Sequence, residues 1–226
     1  FLYSTNFHMK IFLPKTFSLP ECSPGELILP DDTTWIPHHH YEKCVHFTGT
    51  LKIPDSVIEI GSYAFKGCTG FTGKLVIPES VVQIGESAFS GCTGFTGSLT
   101  FPKFIKKISE GTFSGCTGFD GGLTFSEYVV SIEASAFLGC KGFTGSLTIP
   151  NSVRYIGESA FSGCIGFNGP LTLSIFIDTI EPNAFSGCSQ LTGTLTLPTF
   201  VEKIGQSSFS DCSKFEGKLT FPKTVS

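Results

Sequence analysis

Residues 147–170 read LTIPNSVRYIGESAFSGCIGFNGP, and closely similar stretches of 24 residues recur before and after them. The period is clearest in a column of cysteines that no insertion interrupts: Cys44, Cys68, Cys92, Cys116, Cys140, Cys164, Cys188 and Cys212. A fixed period of this length is typical of solenoids, in which each repeat buries its apolar face against its neighbours. Because a residue found in every repeat belongs to the scaffold, we expect function where the repeats differ.

Each repeat opens with an alternating apolar pattern. Leu147 and Ile149 flank Thr148 in the quoted stretch, and the equivalent positions of the other repeats also pair two large apolar residues around a variable one. This alternation predicts a short strand with one buried face. Pro150 follows, as proline does in most repeats, and we expect it to end the strand because it lacks a backbone N–H.

The middle of the repeat predicts a second short strand and then a helical turn. A second apolar pair, such as Val153 and Ile156, suits a shorter strand or an extended turn. The segment that follows, Glu86–Gly91 in one repeat, favours a helical turn because Glu and Ala are good helix formers and Gly suits a helix C-terminus.

Two further columns predict the interior and the turns. The phenylalanines are expected to fill the core: Phe65, Phe89, Phe113, Phe137, Phe161, Phe185 and Phe209. A glycine near the end of every repeat predicts a backbone position with positive φ. Its members are Gly49, Gly73, Gly97, Gly121, Gly145, Gly169, Gly193 and Gly217.

We predict one β-rich solenoid domain over residues 27–226, preceded by a non-repetitive flank at residues 1–26. Its repeats begin at residues 27, 51, 75, 99, 123, 147, 171 and 195, with a partial one at 219. The first is degenerate, with Trp35 and His38-His39-His40 in place of small and polar residues, as expected of a capping repeat. Since the chain starts without Met and stops inside a repeat, we expect it to be a fragment of a longer protein.

The motif GCTGFTGSLTFP at residues 91–102, followed in the repeats by the pattern apolar-x-x-Ile-Gly-x-x-Ala-Phe, resembles the BspA-like (Treponema-type) leucine-rich repeats. The resemblance covers residue 27 to the C-terminus. It implies a right-handed horseshoe, with a short parallel strand on the concave side and a short strand or helical turn on the convex side. It also implies a microbial protein, at the cell surface or secreted, that adheres to host matrix proteins or other microbes. The family has no fixed binding residues, so no site is transferred.

Composition argues against several other classes of function. The net charge is −4 and Arg154 is the only arginine, so the concentrated basic surface that nucleic acid needs is missing. No stretch approaches the roughly 20 apolar residues of a membrane span, and no signal peptide is visible at the start. All five histidines precede residue 47 and no G-x-S-x-G motif occurs. We therefore predict no enzymatic activity, catalytic residue or cofactor.

The cysteine column predicts buried free thiols. Adjacent members would lie about 4.8 Å apart, within reach of a disulfide, but equivalent side chains point the same way and disfavour the S–S torsion. Cys22 and Cys44 are candidates for a disulfide in an oxidising compartment, and the sequence leaves their pairing open. His38, His39 and His40 suit a solvated capping loop better than a metal site, because neighbours in an extended segment point to alternate sides.

Three sets of variable residues are candidates for binding. The outward column of the first strand carries Thr100, Thr124, Thr148, Thr172 and Thr196, although Thr is also simply a good strand residue. Two positions beyond the proline site stand Phe104, Tyr128, Phe176 and Phe200, either for partner contact or to shield the edge of the repeats. Lys103, Lys106 and Lys107 surround Phe104, as a solvated face or a docking place for acidic groups.

The sequence therefore predicts a non-enzymatic adhesion or interaction module whose partner is a host matrix protein, a microbial surface protein or a glycan. The alternative is a structural protein that self-assembles into homo-oligomers through the unpaired ends of the solenoid.

Overall fold

The computed structural model describes residues 19–220, which form a parallel β-solenoid of eight turns without any helix. Residues 1–18 and 221–226 lie outside the described residues, and with them most of the predicted flank and of the partial last repeat. The first strand begins at Gly25, two residues before the predicted start of the solenoid.

Sixteen short strands build the turns. In chain order they are β1 (Gly25–Ile28), β2 (Trp35–Ile36), β3 (Phe47–Lys52), β4 (Glu59–Ile60), β5 (Gly73–Lys74), β6 (Gln83–Ile84), β7 (Phe95–Thr96), β8 (Leu99–Thr100), β9 (Lys107–Ile108), β10 (Leu123–Thr124), β11 (Ser131–Ile132), β12 (Leu147–Thr148), β13 (Tyr155–Ile156), β14 (Leu171–Thr172), β15 (Thr179–Ile180) and β16 (Lys203–Ile204).

The strands pair in parallel with strands of neighbouring turns. The second predicted strand forms most regularly, as sheets β2–β4–β6 and β9–β11–β13–β15–β16. The first predicted strand is present as the pairs β8–β10 and β12–β14. Leu99 pairs with Leu123 and Ile132 with Ile156, so equivalent positions line up along the solenoid.

The first strand is not formed in two repeats, at Leu75 and at Leu195. Pairing there occurs slightly earlier in the chain and in a shifted register. Gly73 pairs with Phe95, and Gly193 pairs with Phe215. Backbone pairing between turns therefore occurs two residues before the predicted strand, while Leu75 and Leu195 remain buried.

The predicted helical turn at Glu86–Gly91 is wrong. Its alternate N–H groups leave the segment: those of Ser87, Phe89 and Gly91 donate to carbonyls of the next turn at 2.8, 2.9 and 2.7 Å. The intervening N–H groups of Ala88 and Ser90 close tight turns onto the third residue before them. Ser87 has a φ of 50°, which a right-handed helix does not allow. Bonds between turns thus override the helix propensity of Glu and Ala.

Positive φ is confirmed at six of the eight predicted glycines and is wrong for Gly121 and Gly169. These two need glycine for another reason, the close approach of the preceding turn. A Cβ atom on Gly121 would lie 2.4 Å from the Ser98 hydroxyl oxygen, and one on Gly169 would lie 2.7 Å from that of Ser146.

The interior consists of continuous columns, as predicted. The phenylalanines from Phe65 to Phe185 are fully buried, and neighbouring rings stack with centroids 5.2–5.7 Å apart. Phe209 is only partly buried, although it stacks on Phe185 at 5.3 Å. A second buried column runs beside the first: Phe47, Phe71, Phe95, Phe119, Phe143 and Phe167.

The predicted free thiols are confirmed from Cys68 to Cys212. Each sulfhydryl donates to the carbonyl 27 residues earlier, over 2.9–3.2 Å. Burial raises the pKa of Cys68, Cys140 and Cys188 to about 12, so these thiols are protonated at neutral pH.

Candidate interaction surface

Four aromatic side chains project from one corner of the solenoid, and we call them the aromatic edge: Phe104, Tyr128, Phe176 and Phe200. They are 51, 45, 41 and 59% exposed, as predicted. The residue after each of them is fully buried and fixes the corner: Ile105, Val129, Ile177 and Val201. Burying one residue forces its neighbour in the extended chain outward.

The aromatic edge consists of two pairs with a gap between them. The ring centroids of Phe104 and Tyr128 are 5.9 Å apart, and those of Phe176 and Phe200 are 6.5 Å apart. Ser152 holds the equivalent position in the repeat between the pairs. The row of aromatics therefore has an indentation one repeat wide at its centre.

A cation accompanies each pair. The Lys103 ammonium lies 5.4 and 5.7 Å from the ring centroids of Phe104 and Tyr128. The Arg154 guanidinium carbon lies 5.5 Å from the centroid of Phe176. Such contacts contribute about 0.5–1 kcal/mol each at exposed sites. The sequence analysis identified Lys103 as a candidate binding residue but missed Arg154. The position of Arg154, two residues beyond the aromatic position of its repeat, could have indicated it.

Polar side chains anchor the backbone beneath the aromatic edge. Ser126 replaces the usual proline, donates to the Lys103 carbonyl at 2.9 Å and accepts from the Tyr128 N–H at 3.2 Å. The Ser174 hydroxyl likewise accepts from the Phe176 N–H at 3.1 Å. The Glu79 carboxylate accepts from the Lys103 N–H at 3.0 Å. The aromatic rings are thus held on fixed backbone rather than on a loose loop.

The three predicted lysines do not form one patch. Lys106 and Lys107 line a groove of about 940 Å³ together with Glu110, Glu133 and Phe104. Lys103 instead faces the first aromatic pair. The basic character predicted for this region is therefore divided between a groove with mixed charge and the aromatic edge.

The predicted threonine column is exposed in every turn that carries it, and we call it the threonine face: Thr100, Thr124, Thr148, Thr172 and Thr196. Its central members line a shallow groove of about 1050 Å³. Asn151 and Ser152 line the same groove, so the threonine face meets the aromatic edge at the gap.

The N-terminal cap contains the remaining predicted features. Cys22 and Cys44 form a disulfide with Cα atoms 5.6 Å apart, which answers the question that the sequence left open. The histidines make separate contacts: His38 accepts from the Ser62 N–H at 2.8 Å, and His39 bonds Glu42 at 2.7 Å. The hydrogen bond from His39 lowers the pKa of Glu42. Across residues 19–220, no three potential ligands gather around a common point as a metal ion would require.

The comparisons with known proteins agree with this geometry. The model of the BspA type leucine rich repeat region matches residues 34–140 and 121–226, with 6 copies. The chain belongs to the BspA-type leucine-rich repeat family. No curated protein matches the sequence. Among the described residues, no helix is long and apolar enough to cross a membrane.

Solved structures that are similar to this chain come from several bacteria. A leucine-rich repeat protein of T. pallidum is 21% identical with a TM-score of 0.53, over 86% of this chain and 79% of that one. A leucine-rich cell surface protein of Faecalibacterium prausnitzii is 18% identical with a TM-score of 0.46, over 82% and 84%. A leucine-rich repeat protein from Bacteroides ovatus is 23% identical with a TM-score of 0.42, over 88% of this chain and 67% of that one. At these identities the likeness concerns the fold alone.

Proposed function

We propose that this BspA-type chain is a non-enzymatic adhesion module, at the cell surface or secreted, that binds a host matrix or partner-cell protein through the aromatic edge. The observation that carries the proposal is the row of exposed aromatics with its two cations. Exposed apolar rows mark interaction sites, and aromatic and Arg side chains dominate binding energy at interfaces. The anchored backbone below them lowers the ordering cost of binding.

The chemistry of the cysteines supports both parts of this proposal. A disulfide between Cys22 and Cys44 persists in an oxidising, extracellular setting and not in the cytosol. The recurrent nucleophiles of the chain are the column thiols, and burial keeps their pKa far above neutral. A protonated, buried thiol is inert, and such a column belongs to the scaffold.

The test is a binding screen of the chain against extracellular-matrix proteins and partner-cell surfaces, repeated with the triple variant Phe104→Ser/Tyr128→Ser/Phe176→Ser. The matched control replaces exposed apolar residues elsewhere, as Val45→Ser/Leu138→Ser/Ile165→Ser. We expect the first variant to lose binding and the control to keep it. Equal binding by both variants would show that the aromatic edge is not the site.

A further inference from the structure

The gap in the aromatic edge has a defined length. Tyr128 and Phe176 stand two repeats apart. Because stacked parallel strands are about 4.8 Å apart, the backbone at these two positions is separated by about 10 Å. The floor between them is small and polar, because Ser152 is there. Arg154 reaches from this central repeat to the Phe176 ring.

This spacing suits a polyproline II helix lying along the solenoid axis. Such a helix has three residues per turn and rises 3.1 Å per residue, so residues i and i+3 lie on one side about 9 Å apart. Prolines at positions i and i+3 would rest on Tyr128 and Phe176, and one of the two residues between them would face Arg154. Proline-rich segments are known to dock on aromatic-lined surfaces in this conformation.

The two cations that contact the rings favour acidic side chains in the ligand. Lys103 and Arg154 each contact an aromatic ring, and across residues 19–220 neither forms an ion pair with a carboxylate. Acidic side chains between the prolines would meet these cations. The carbonyl groups of a polyproline II segment are also unpaired and can accept from Arg154, whereas those of an α-helix are already bonded.

We infer that the aromatic edge recognises an acidic polyproline II segment of the partner protein. The inference rests on the proposed function and names the chemistry of its ligand. Both sides of the contact are preorganised, since Ser126 and Ser174 anchor the backbone below the rings and the ligand loses little entropy.

The experiment titrates the intact chain with fluorescein-labelled peptides and follows fluorescence anisotropy. The probe is (Pro-Pro-Glu)5. Three control peptides separate the possible causes: (Pro-Pro-Lys)5 keeps the conformation and reverses the charge, (Gly-Ser-Glu)5 keeps the charge without the conformation, and an acidic Leu-rich peptide forms a helix. We expect the probe to bind at least about tenfold more tightly than each control. A difference of this size is typical of losing one hot-spot contact.

Variants of the chain test the register. Phe176→Ser removes one contact ring and Arg154→Gln removes the charge, and each is expected to weaken probe binding about tenfold. Ser152→Phe fills the gap with a residue that Phe104 and Phe176 show is tolerated at this position. It adds aromatic area but blocks the central turn of the ligand, so binding should fall. Val45→Ser is the control and should bind like the unaltered chain.

Several outcomes would overturn the inference. Equal binding of the probe and (Gly-Ser-Glu)5 would leave only charge, and tighter binding of the helical peptide would assign a helical partner. Stronger binding by Ser152→Phe would show that aromatic area matters and register does not. If no peptide binds but a matrix protein still binds in an edge-dependent way, the inference fails while the proposed function stands. If no binding depends on the edge, both fail.

Discussion

Phe137 and Tyr128 belong to the same repeat and carry similar rings, yet their surroundings differ completely. Phe137 is fully buried and stacks on Phe113 and Phe161, with centroids 5.7 and 5.2 Å away. Tyr128 is 45% exposed and contacts an aromatic ring on one side only, because the next repeat has Ser152 at that position. In this fold stability resides in columns that every repeat shares, and the corner that carries the aromatic edge is free to vary.

Removal of one ring from each region is expected to have the largest difference in effect. Phe137→Ala should lower the free energy of unfolding by about 3–5 kcal/mol, because it opens a cavity in a column that both neighbouring turns share. Tyr128→Ala should cost less than about 1 kcal/mol, as expected of a surface change. Urea unfolding followed by circular dichroism measures both. Similar losses for the two variants would mean that the edge is part of the core.

Reducing the disulfide tests whether the cap depends on a different source of stability. Cys22–Cys44 closes a loop with a sequence separation of 22, and losing such a link typically costs about 2–4 kcal/mol. We expect a lower melting temperature in the presence of a phosphine reductant. The Cys22→Ser/Cys44→Ser variant should melt at the reduced value whether or not the reductant is present. Coinciding melting curves for the oxidised and reduced chain would contradict the assignment.

Gly142 and Gly122 differ in how closely the neighbouring turn packs against them. A Cβ atom on Gly142 would lie 2.1 Å from the Phe119 carbonyl oxygen, whereas one on Gly122 would meet nothing within 4 Å. Gly142→Ala should therefore destabilise the chain by about 1–3 kcal/mol through overpacking. Gly122→Ala should change stability by less than about 0.5 kcal/mol. Chemical unfolding of the two variants side by side checks the difference, and the reverse order would refute the packing described.

The smallest expected effect concerns two thiols that differ in solvent exposure. Cys116 is fully buried and its pKa is raised well above the ordinary value by desolvation, while Cys212 is partly exposed with a pKa of about 11. Iodoacetamide labelling of the native chain, read by mass spectrometry, should modify Cys212 first. Raising the pH from 7 to 9 should speed that reaction, since more thiolate forms as the pH approaches the pKa. Labelling of Cys116 at the same rate would show that the column is open to solvent.

The periodic parts of the fold were predictable because the same pattern of apolar positions recurs in each repeat. The strands at Leu147 and Ile156 and the phenylalanine column from Phe65 to Phe209 follow from which positions are apolar in every repeat. The exposure of the variable aromatics follows from the buried residue next to each of them. The conformation of Glu86–Gly91 was not predictable, because its N–H groups bond to the next turn and local helix propensity does not reveal such bonds. Likewise, Gly121 and Gly169 are required by close approach of another turn, and the contact between Arg154 and Phe176 joins two repeats. Contacts between repeats cannot be predicted from the sequence of a single repeat.

We propose that the aromatic edge binds the partner, while the buried columns stabilise the fold. The most direct test measures the affinity and melting temperature of Phe104→Ser/Tyr128→Ser/Phe176→Ser against the protein captured by the unaltered chain in the binding screen. We expect at least about tenfold weaker binding, with a melting temperature within a few degrees of the unaltered chain. Unchanged affinity in a folded variant would contradict the claim.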